Sequence, residues 1–593
     1  MNNSQFIAKY LIKKGINTAF GVTGGGAMFL NEAFRGEKKM KFIFTHHEQS
    51  ATMAADAYYR IKKKPAVASV TSGPGGTNAI TGVIGAWIDS IPMIIISGQV
   101  ETKDLIGKSG TRQIGIQEAN IIDLVKPITK YAKTIKKKDN LEKELNDAIK
   151  LSEEGRPGPV WLDIPLDIQS KKFKNKSMKK KAPKKIKKDI SKEKLNKIYN
   201  DIQNSKRPLI LIGNGVHISK SEENFKDVIK KMQIPFLSTW NASDIIPTNN
   251  NLYFGRPGLF GNRISNFSIQ ACDLLIIIGS RLSIPITGYQ IKNFSPHSKK
   301  IYIDIDQKEI LKRNLKIYLP IKSDIKFFLE ELNKYLKSKK KIKKLEWIKK
   351  LSKLKKELNE DQLYKKQNRL INSFNFVNSL SEILKGNEVI VTDMGTSFTC
   401  TMQTFKVKKK QRLFTSSGIA AMGFGLPGII GAYFANKRSL PICITGDGGI
   451  MFNIQELQTI INYKIPVKIF LLNNNGYLTM KLMQKKNFKK FVGSDDKSGV
   501  SMPNFMELSK SLGFSTCILN QEKDLKKNLK KIIKSSLPTV CEIKMPSFQQ
   551  LVPRVQTQMN KDGSFEPSMI DNMYPFLKKS NLHKIRKNLL RYD

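Results

Sequence analysis

The sequence predicts an α/β protein built from three doubly wound parallel-sheet domains, and two observations carry that expectation. Short apolar runs, among them PAVASV (65–70), PMIIISG (92–98), PLILIGNG (208–215), DLLIIIGSR (273–281), KIYIDID (300–306), NEVIVTD (387–393), LPICITGDG (440–448) and VKIFLLNNN (467–475), are separated by longer stretches of helical period. Buried strands alternating with helices make parallel sheets covered on both faces. Two lysine-dense stretches then divide the 593 residues into three segments of comparable size and a tail, in keeping with a length that predicts three or four domains.

The segments follow in order. Residues 1–170 form the first expected domain. The stretch 171–190, which contains KKFKNKSMKKKAPKKIKK, has one proline, little apolar content and no period, so it reads as a solvated linker. Residues 191–336 form a central domain. In 337–368, Ile342, Leu345, Ile348 and Leu351 recur every three residues with Trp347 and Leu354 flanking them, which predicts a surface helix or helical connector. A third domain spans 369–550, and 551–593 is a tail.

Composition excludes several classes. Apolar residues make up 40% of the chain, enough to bury real cores, so a disordered chain is not expected. No stretch approaches the roughly 20 apolar residues of a membrane span, and the start MNNSQFIAKYLIKKG has no signal-peptide pattern, so a cytoplasmic protein is expected. Five scattered cysteines form no C-x-x-C pair, and the adjacent His46 and His47 point in different directions, so neither a disulfide framework nor a zinc site is indicated. The 102 Lys+Arg against 50 Asp+Glu leave +52. That excess is lysine rather than arginine and is spread along the chain, whereas specific nucleic-acid binding calls for arginine forks and stacking aromatics.

In open parallel sheets, ligands sit beyond the carboxyl ends of the strands. There the chain places Gly446, Asp447, Gly448 and Gly449 after one run and Asn473, Asn474, Asn475 and Gly476 after the next. An Asp and an Asn 27 positions apart meet at one sheet end after a single helical crossover. Their oxygens are hard ligands suited to Mg²⁺, which takes its remaining ligands from phosphate and water. The glycines let backbone N–H groups approach a diphosphate at the following helix start.

This pair resembles the thiamine diphosphate and Mg²⁺ fingerprint. HHEQSATMAADAYYR (46–60), TSGPGGTNAITG (71–82), DSIPMIIISGQV (89–100), GRPGPVWLDIPLDIQ (155–169), AAMGFGLPGIIGA (420–432) and NIQELQTI (453–460) resemble, in that order, the acetolactate synthase large-subunit family over residues 1–550. The resemblance implies pyrimidine-binding, central flavin-binding and diphosphate-binding domains, in a transferase of branched-chain amino acid biosynthesis.

It further implies site roles. Glu48 matches the carboxyl group that exchanges a proton with N1′ of the cofactor's pyrimidine, and Ala51, Met53 and Ala54 are compatible with an apolar setting for it. Gly24, Gly25, Pro74, Asn78 and Gln117 match positions around the pyrimidine and reaction pocket, with Gln117 counted as catalytic. Met422 matches the apolar prop that bends the cofactor, and Ala420 stands where the family has Gly. Gly395, Thr396 and Ser397 replace the family's Gly-Gln-His, so hydroxyls are expected to replace those donors. Gly448 and Gly449 face the diphosphate, and Asp447, Asn474 and Gly476 hold the metal. Gly213, Gly215, Gly279, Ser280, Arg281, Asp304, Ile305, Asp324 and Arg156 match FAD contacts. A homodimer or homotetramer follows, because the family shares each site between subunits.

The chain departs from the family where the second substrate binds. The positions of the family's Arg, Lys, Phe and Trp hold Pro285, Leu166, Ile116 and Gln484, or Lys485 in a shifted register. Losing an Arg that grips a carboxylate forfeits about 1.5–3 kcal/mol. NNNGYLTMKLMQKKNFKKFVG (473–493), RQIGIQE (112–118) and DNMYPFL (571–577) instead resemble carboligases of surface-sugar pathways, in which Lys481 and Lys485 would meet a nucleotide diphosphate or be solvated charges. The acceptor is thus pyruvate, giving 2-acetolactate, or a nucleotide-linked keto sugar, with simple 2-oxo acid decarboxylation as a third option.

Overall fold

The computed structural model describes residues 1–174, 190–312, 315–364, 370–559 and 562–590. Most of the expected lysine-rich linker lies outside them.

The first sheet holds β1 (Thr18–Gly21), β2 (Lys41–Phe44), β3 (Val67–Val70), β4 (Met93–Gln99), β5 (Tyr131–Thr134) and β6 (Pro159–Pro165), in the order β2-β1-β3-β4-β6-β5. The central sheet holds β7 (Pro208–Ile212), β8 (Phe236–Ser238), β9 (Leu274–Ile278), β10 (Lys299–Asp304) and β11 (Leu319–Lys322), in the order β11-β10-β9-β7-β8. The third holds β12 (Glu388–Thr392), β13 (Arg412–Phe414), β14 (Leu440–Gly446), β15 (Lys468–Asn473), β16 (Ser515–Leu519) and β17 (Thr539–Lys544), in the order β13-β12-β14-β15-β17-β16. All pairings in these sheets are parallel.

The first and third sheets therefore share one topology. In each of the three, the chain pairs its second strand on one side of the first strand and its third strand on the other. That reversal opens a crevice at the carboxyl ends between β1 and β3, β7 and β9, and β12 and β14. The apolar runs become β3, β4, β7, β9, β10, β12, β14 and β15 because helices cover both faces; β4 is buried at every position.

The first and third domains are fused by packing. The helix Glu48–Lys62 lies against the helix Gly425–Ala435, and one apolar core runs through both. Their approach is close enough that a Cβ on Gly431 would sit 2.0 Å from the Ala54 carbonyl oxygen.

The connector contains the helix Leu345–Glu357. Its buried face is Trp347, Leu351 and Leu354, while Leu345 is 58% exposed. The three-residue stripe through Leu345 is thereby corrected, since a repeat of 3.6 turns positions 347, 351 and 354 to one side. The tail carries the antiparallel hairpin β18 (Thr557–Met559) and β19 (Phe565–Pro567) and the helix Lys579–Leu590. It returns to the central domain, where Ile570 and Leu589 join the core and Arg586 pairs with Asp571 at 2.7 Å. No helix among the described residues is long and apolar enough to cross a membrane.

Candidate active site

The candidate residues stand at the carboxyl ends of strands or in the loops beyond them, in three groups. The first surrounds the crevice of the first sheet. Glu48 opens the helix that follows β2, is 8% exposed, and accepts a hydrogen bond from Asn78 Nδ2 at 3.1 Å. Pro74 and Asn78 begin the helix Pro74–Asp89 after β3 and are exposed. Gly24 and Gly25 follow β1, where a Cβ on Gly24 would meet Thr71 Cβ at 2.5 Å. Gln117 has a left-handed φ of +57°, and its carbonyl would lie 2.2 Å from a Cβ on Gly73. The adjacent Glu118 anchors that loop: its buried carboxylate accepts from the backbone N–H of Ile106, Ile114 and Gly115. Ile116 is left 88% exposed.

The second group surrounds the crevice of the third sheet. Asp447 is 1% exposed and accepts from the backbone N–H of Gly448 at 2.8 Å, Asn474 at 3.0 Å and Gly476 at 2.9 Å. Burial pushes its carboxyl up to about 6 although these N–H groups pull the other way. Asn474 Oδ1 is buried without a hydrogen-bond partner. Lys481 is 2% exposed and donates to the carbonyls of Asn474 at 3.2 Å and Asn475 at 3.3 Å. It braces this loop, a role neither sequence reading anticipated. A buried amide oxygen beside a buried carboxylate fits a small hard cation.

Gly395 precedes the helix Thr396–Thr404 with φ +81°, and nothing lies within 4 Å of where its Cβ would be, leaving room for a ligand at the helix start. Ser397 is fully buried and donates its hydroxyl proton to Met394 O at 3.1 Å, and Thr396 is buried at 6% exposure, so the expected replacement of the family's donors by the Ser397 hydroxyl is corrected: that proton is already used within the loop. Met422 is half-buried, and Ala420 is exposed with a strained φ of +59°, the reason glycine suits that position.

Two residues that sequence reasoning missed organise this group. Asp393, 1% exposed, accepts from Met394 N–H at 2.8 Å, Gly423 N–H at 2.9 Å and the Thr445 hydroxyl at 3.1 Å, joining the loops of Gly395 and Met422. It ends an apolar run just as Asp447 does, and that signal was available. Asn453 donates to Gly423 O at 2.9 Å and accepts from the Ser50 hydroxyl at 2.9 Å. The Glu48 carboxylate itself bonds to no loop of the third sheet among the described residues.

The third group lines a cavity of about 280 Å³ in the central crevice: Gly215, Gly279, Ser280, Arg281, Asp304, Ile305, Asp324 and Arg156 all face it, together with Pro285. Gly213 stands just behind, packed so tightly that its Cβ would meet Gly279 O at 2.2 Å. Burial pushes Asp304 up to about 6. Arg156 reaches from the first domain to Asp306 at 3.0 Å and Glu309 at 2.7 Å, and Arg281 lies 3.7 Å from Asp89. Asp89, Glu153, Glu309, Asp304 and Asp324 line the same crevice, so its two guanidinium groups are matched by carboxylates, and its glycines leave backbone N–H groups as further donors to a ligand.

Of the positions where the sequence departs, Gln484 is buried: its amide bonds both backbone groups of Val492, at 2.8 and 3.2 Å, and accepts from the Ser494 hydroxyl at 2.9 Å. Lys485 is exposed over the Phe548 ring at 4.2 Å, and Leu166 begins a short helix after β6.

Three sheets with these crevices and a buried Asp–Asn loop define a thiamine pyrophosphate enzyme. Residues 1–121 match the family described as thiamine pyrophosphate enzyme, N-terminal TPP binding domain, residues 174–332 its central domain, and residues 393–543 its C-terminal TPP binding domain. The acetolactate synthase isozyme 1 large subunit of Escherichia coli (strain K12) is 30% identical over 552 residues, covering 93% of this chain and 95% of that one. A probable acetolactate synthase large subunit of Methanocaldococcus jannaschii is 33% identical over 602 residues, covering 99% and 98%. The acetolactate synthase large subunit of Lactococcus lactis is 31% identical over 563 residues, covering 95% of each. The chain belongs to the acetolactate synthase large-subunit family.

Proposed function

We propose that this enzyme is a thiamine diphosphate- and Mg²⁺-dependent carboligase that decarboxylates pyruvate and joins the two-carbon unit to a second carbonyl, with pyruvate as acceptor giving 2-acetolactate. The buried Asp447 carboxylate beside the unpartnered Asn474 Oδ1 carries the reading, because such a loop has no structural use for an orphaned oxygen. When bound, thiamine diphosphate supplies the carbanion chemistry that releases CO₂ and transfers the remaining two carbons. Asp447, Asn474 and the Gly476 carbonyl would hold Mg²⁺, and Gly395, Thr396, Gly448 and Gly449 the diphosphate. Glu48 would hold a proton toward the pyrimidine, oriented by Asn78 at 3.1 Å; Pro74, Gly24 and Gly25 wall that side, Met422 and the Ala420 carbonyl the other, and Gln117 the substrate.

The central cavity would hold FAD. The chain would divide at 170, 190, 336, 368 and 550, and the protein would be a cytoplasmic homodimer or homotetramer. Exposed apolar side chains beside both half-sites support self-association: Ile116 at 88%, Phe452 at 49% and Phe488 at 64% exposure.

A second reading, transfer to a nucleotide-linked keto sugar, is favoured by Pro285 and Leu166, which put uncharged side chains where the family has an Arg and a Lys for the acceptor's carboxylate. NMR of ¹³C-pyruvate with protein, thiamine diphosphate and Mg²⁺ tests both. Rapid acetolactate supports the first reading; pyruvate spared until a keto sugar is added supports the second; no cofactor-dependent consumption under either condition overturns both.

A further inference from the structure

A second cavity, of about 200 Å³, lies where the central domain, the end of the connector helix and the third domain meet. It stands apart from the candidate active site, since the helix Thr396–Thr404 begins at the Gly395 loop and ends in this cavity's wall, about 13 Å away at 1.5 Å per residue.

Four of its lining side chains carry a buried polar atom without a partner: Arg256 Nε, Tyr364 Oη, Asn378 Oδ1 and Gln403 Oε1. Such atoms are rare in native proteins, and several around one cavity ask for an occupant. Arg256 is 3% exposed, donates to the carbonyls of Met402 at 2.8 Å and Phe405 at 3.0 Å, and has no carboxylate partner among the described residues. A buried guanidinium unmatched by an anion is unfavourable. Tyr364 is 5% exposed, its ring stacked on Phe374 at 4.4 Å, and burial holds its hydroxyl far above the usual range, so it stays a neutral donor. Gln403 has both amide N–H groups engaged, on Pro553 O at 2.6 Å and Gly261 O at 3.3 Å, so it offers only an acceptor, while Asn378 has one N–H on Asp361 at 3.1 Å and offers its Oδ1 as acceptor. Glu360 on the same wall is satisfied by Asn262 and the Arg263 backbone, and Lys355 donates to Tyr253 O at 3.2 Å.

We infer that this cavity binds a small carboxylate that also carries a hydrogen-bond donor, a molecule of amino-acid or hydroxy-acid size. Its carboxylate takes the Arg256 Nε–H and Tyr364 O–H, and its own donor serves Asn378 Oδ1 and Gln403 Oε1. The inference is independent of the acceptor in catalysis, because binding is read without turnover.

The full-length protein is titrated calorimetrically with L-serine and with propionate, which has the carboxylate and no donor. Saturable serine binding, weaker propionate binding, and a fivefold to tenfold loss of serine affinity in Tyr364→Phe and Asn378→Leu are expected, as befits one hydrogen bond each. Tyr364→Phe removes an unpartnered hydroxyl and leaves the melting temperature of the unliganded protein unchanged or raised. Absence of saturable serine binding, or serine binding indifferent to both substitutions, overturns the inference. So does a lower melting temperature of unliganded Tyr364→Phe, which would assign the cavity to structural water.

Discussion

Asn474 Oδ1 is buried and unpartnered although the same residue's backbone N–H is held by Asp447 at 3.0 Å. The backbone of the loop is thus fixed while one oxygen is left over. Asn474→Ala should therefore leave the melting temperature without Mg²⁺ unchanged or slightly raised, since it deletes an unsatisfied group. Affinity for Mg²⁺ and thiamine diphosphate should fall at least about tenfold, for loss of one hard ligand. Equal affinity in a Mg²⁺ titration followed by tryptophan fluorescence would remove Asn474 from the metal.

Glu48→Gln keeps the shape of the side chain and its neighbour Asn78 while removing its acid function. Turnover of pyruvate should drop by roughly 10²–10⁴, and cofactor affinity should change little, because the residues proposed to hold the diphosphate and metal belong to another sheet. Unchanged turnover would sink the role given to Glu48.

What could be read before the structure follows burial. The strands covered on both faces, such as β4 and β14, appear as unbroken apolar runs, and the residues after them were the right ones to inspect. The edge strand β16 is buried only at Leu519 and leaves Ile518 exposed, and β8 and β13 are three residues each, so none stood out. Asp447 was legible from its glycines and from Asn474. Asp393 ends an apolar run as Asp447 does, so its position could have been singled out, but not its role, because its partners, Gly423 and Thr445, lie 30 and 52 positions away and only the fold brings them to it. The unpartnered polar atoms of the second cavity come from three distant stretches, so no local pattern betrays them.

Ala420 adopts φ +59°. The left-handed region costs a residue with a Cβ about 1–2 kcal/mol, and glycine escapes that cost while losing about 0.5–1 kcal/mol of chain entropy on folding. Ala420→Gly should raise stability by about 0.5–1 kcal/mol in urea unfolding. A loss of stability would mean that the Ala420 methyl packs usefully.

A charged network spans all three domains. His217 lies 2.6 Å from both Glu222 and Asp244, Arg412 reaches Asp244 at 2.5 Å, and Lys63 donates to His217 O at 3.0 Å. Burial first, then the Arg412 charge, pushes Lys63 down to about 7, against about 10.4 for a free lysine. Between those values the unfolded chain holds a proton that the folded chain does not, so stability rises with pH from 7 to about 10.4. Glu222 is lowered to about 2, against the opposing burial, by His217 and Lys63. Its contribution is complete above about 4.3, the free value, and is lost as pH falls toward 2. Lys41 and Lys468, lowered to about 8 by burial, add slopes of the same sign above pH 8, so urea unfolding of Lys63→Met should flatten the rise between pH 7 and 8 and only reduce it above; an unchanged slope between pH 7 and 8 would show that Lys63 is not its source.

Gly431 tests whether the packing of the first domain on the third positions Glu48. A methyl group there would lie 2.0 Å from the Ala54 carbonyl oxygen, and backbone on a buried helix cannot rotate away. Alanine improves helix propensity over glycine by about 1 kcal/mol, whereas forced overpacking costs about 1–3 kcal/mol, so Gly431→Ala should destabilise on balance by up to about 2 kcal/mol. Relief requires the helix Glu48–Lys62 to slide from the helix Gly425–Ala435, and Glu48 is the first residue of the displaced element. Turnover should therefore fall more than thermal stability accounts for, while Mg²⁺-dependent binding of thiamine diphosphate weakens less, because Asp447 and Asn474 sit on loops this helix does not carry. A variant with full turnover at temperatures where it stays folded would show that the two helices only hold the domains together.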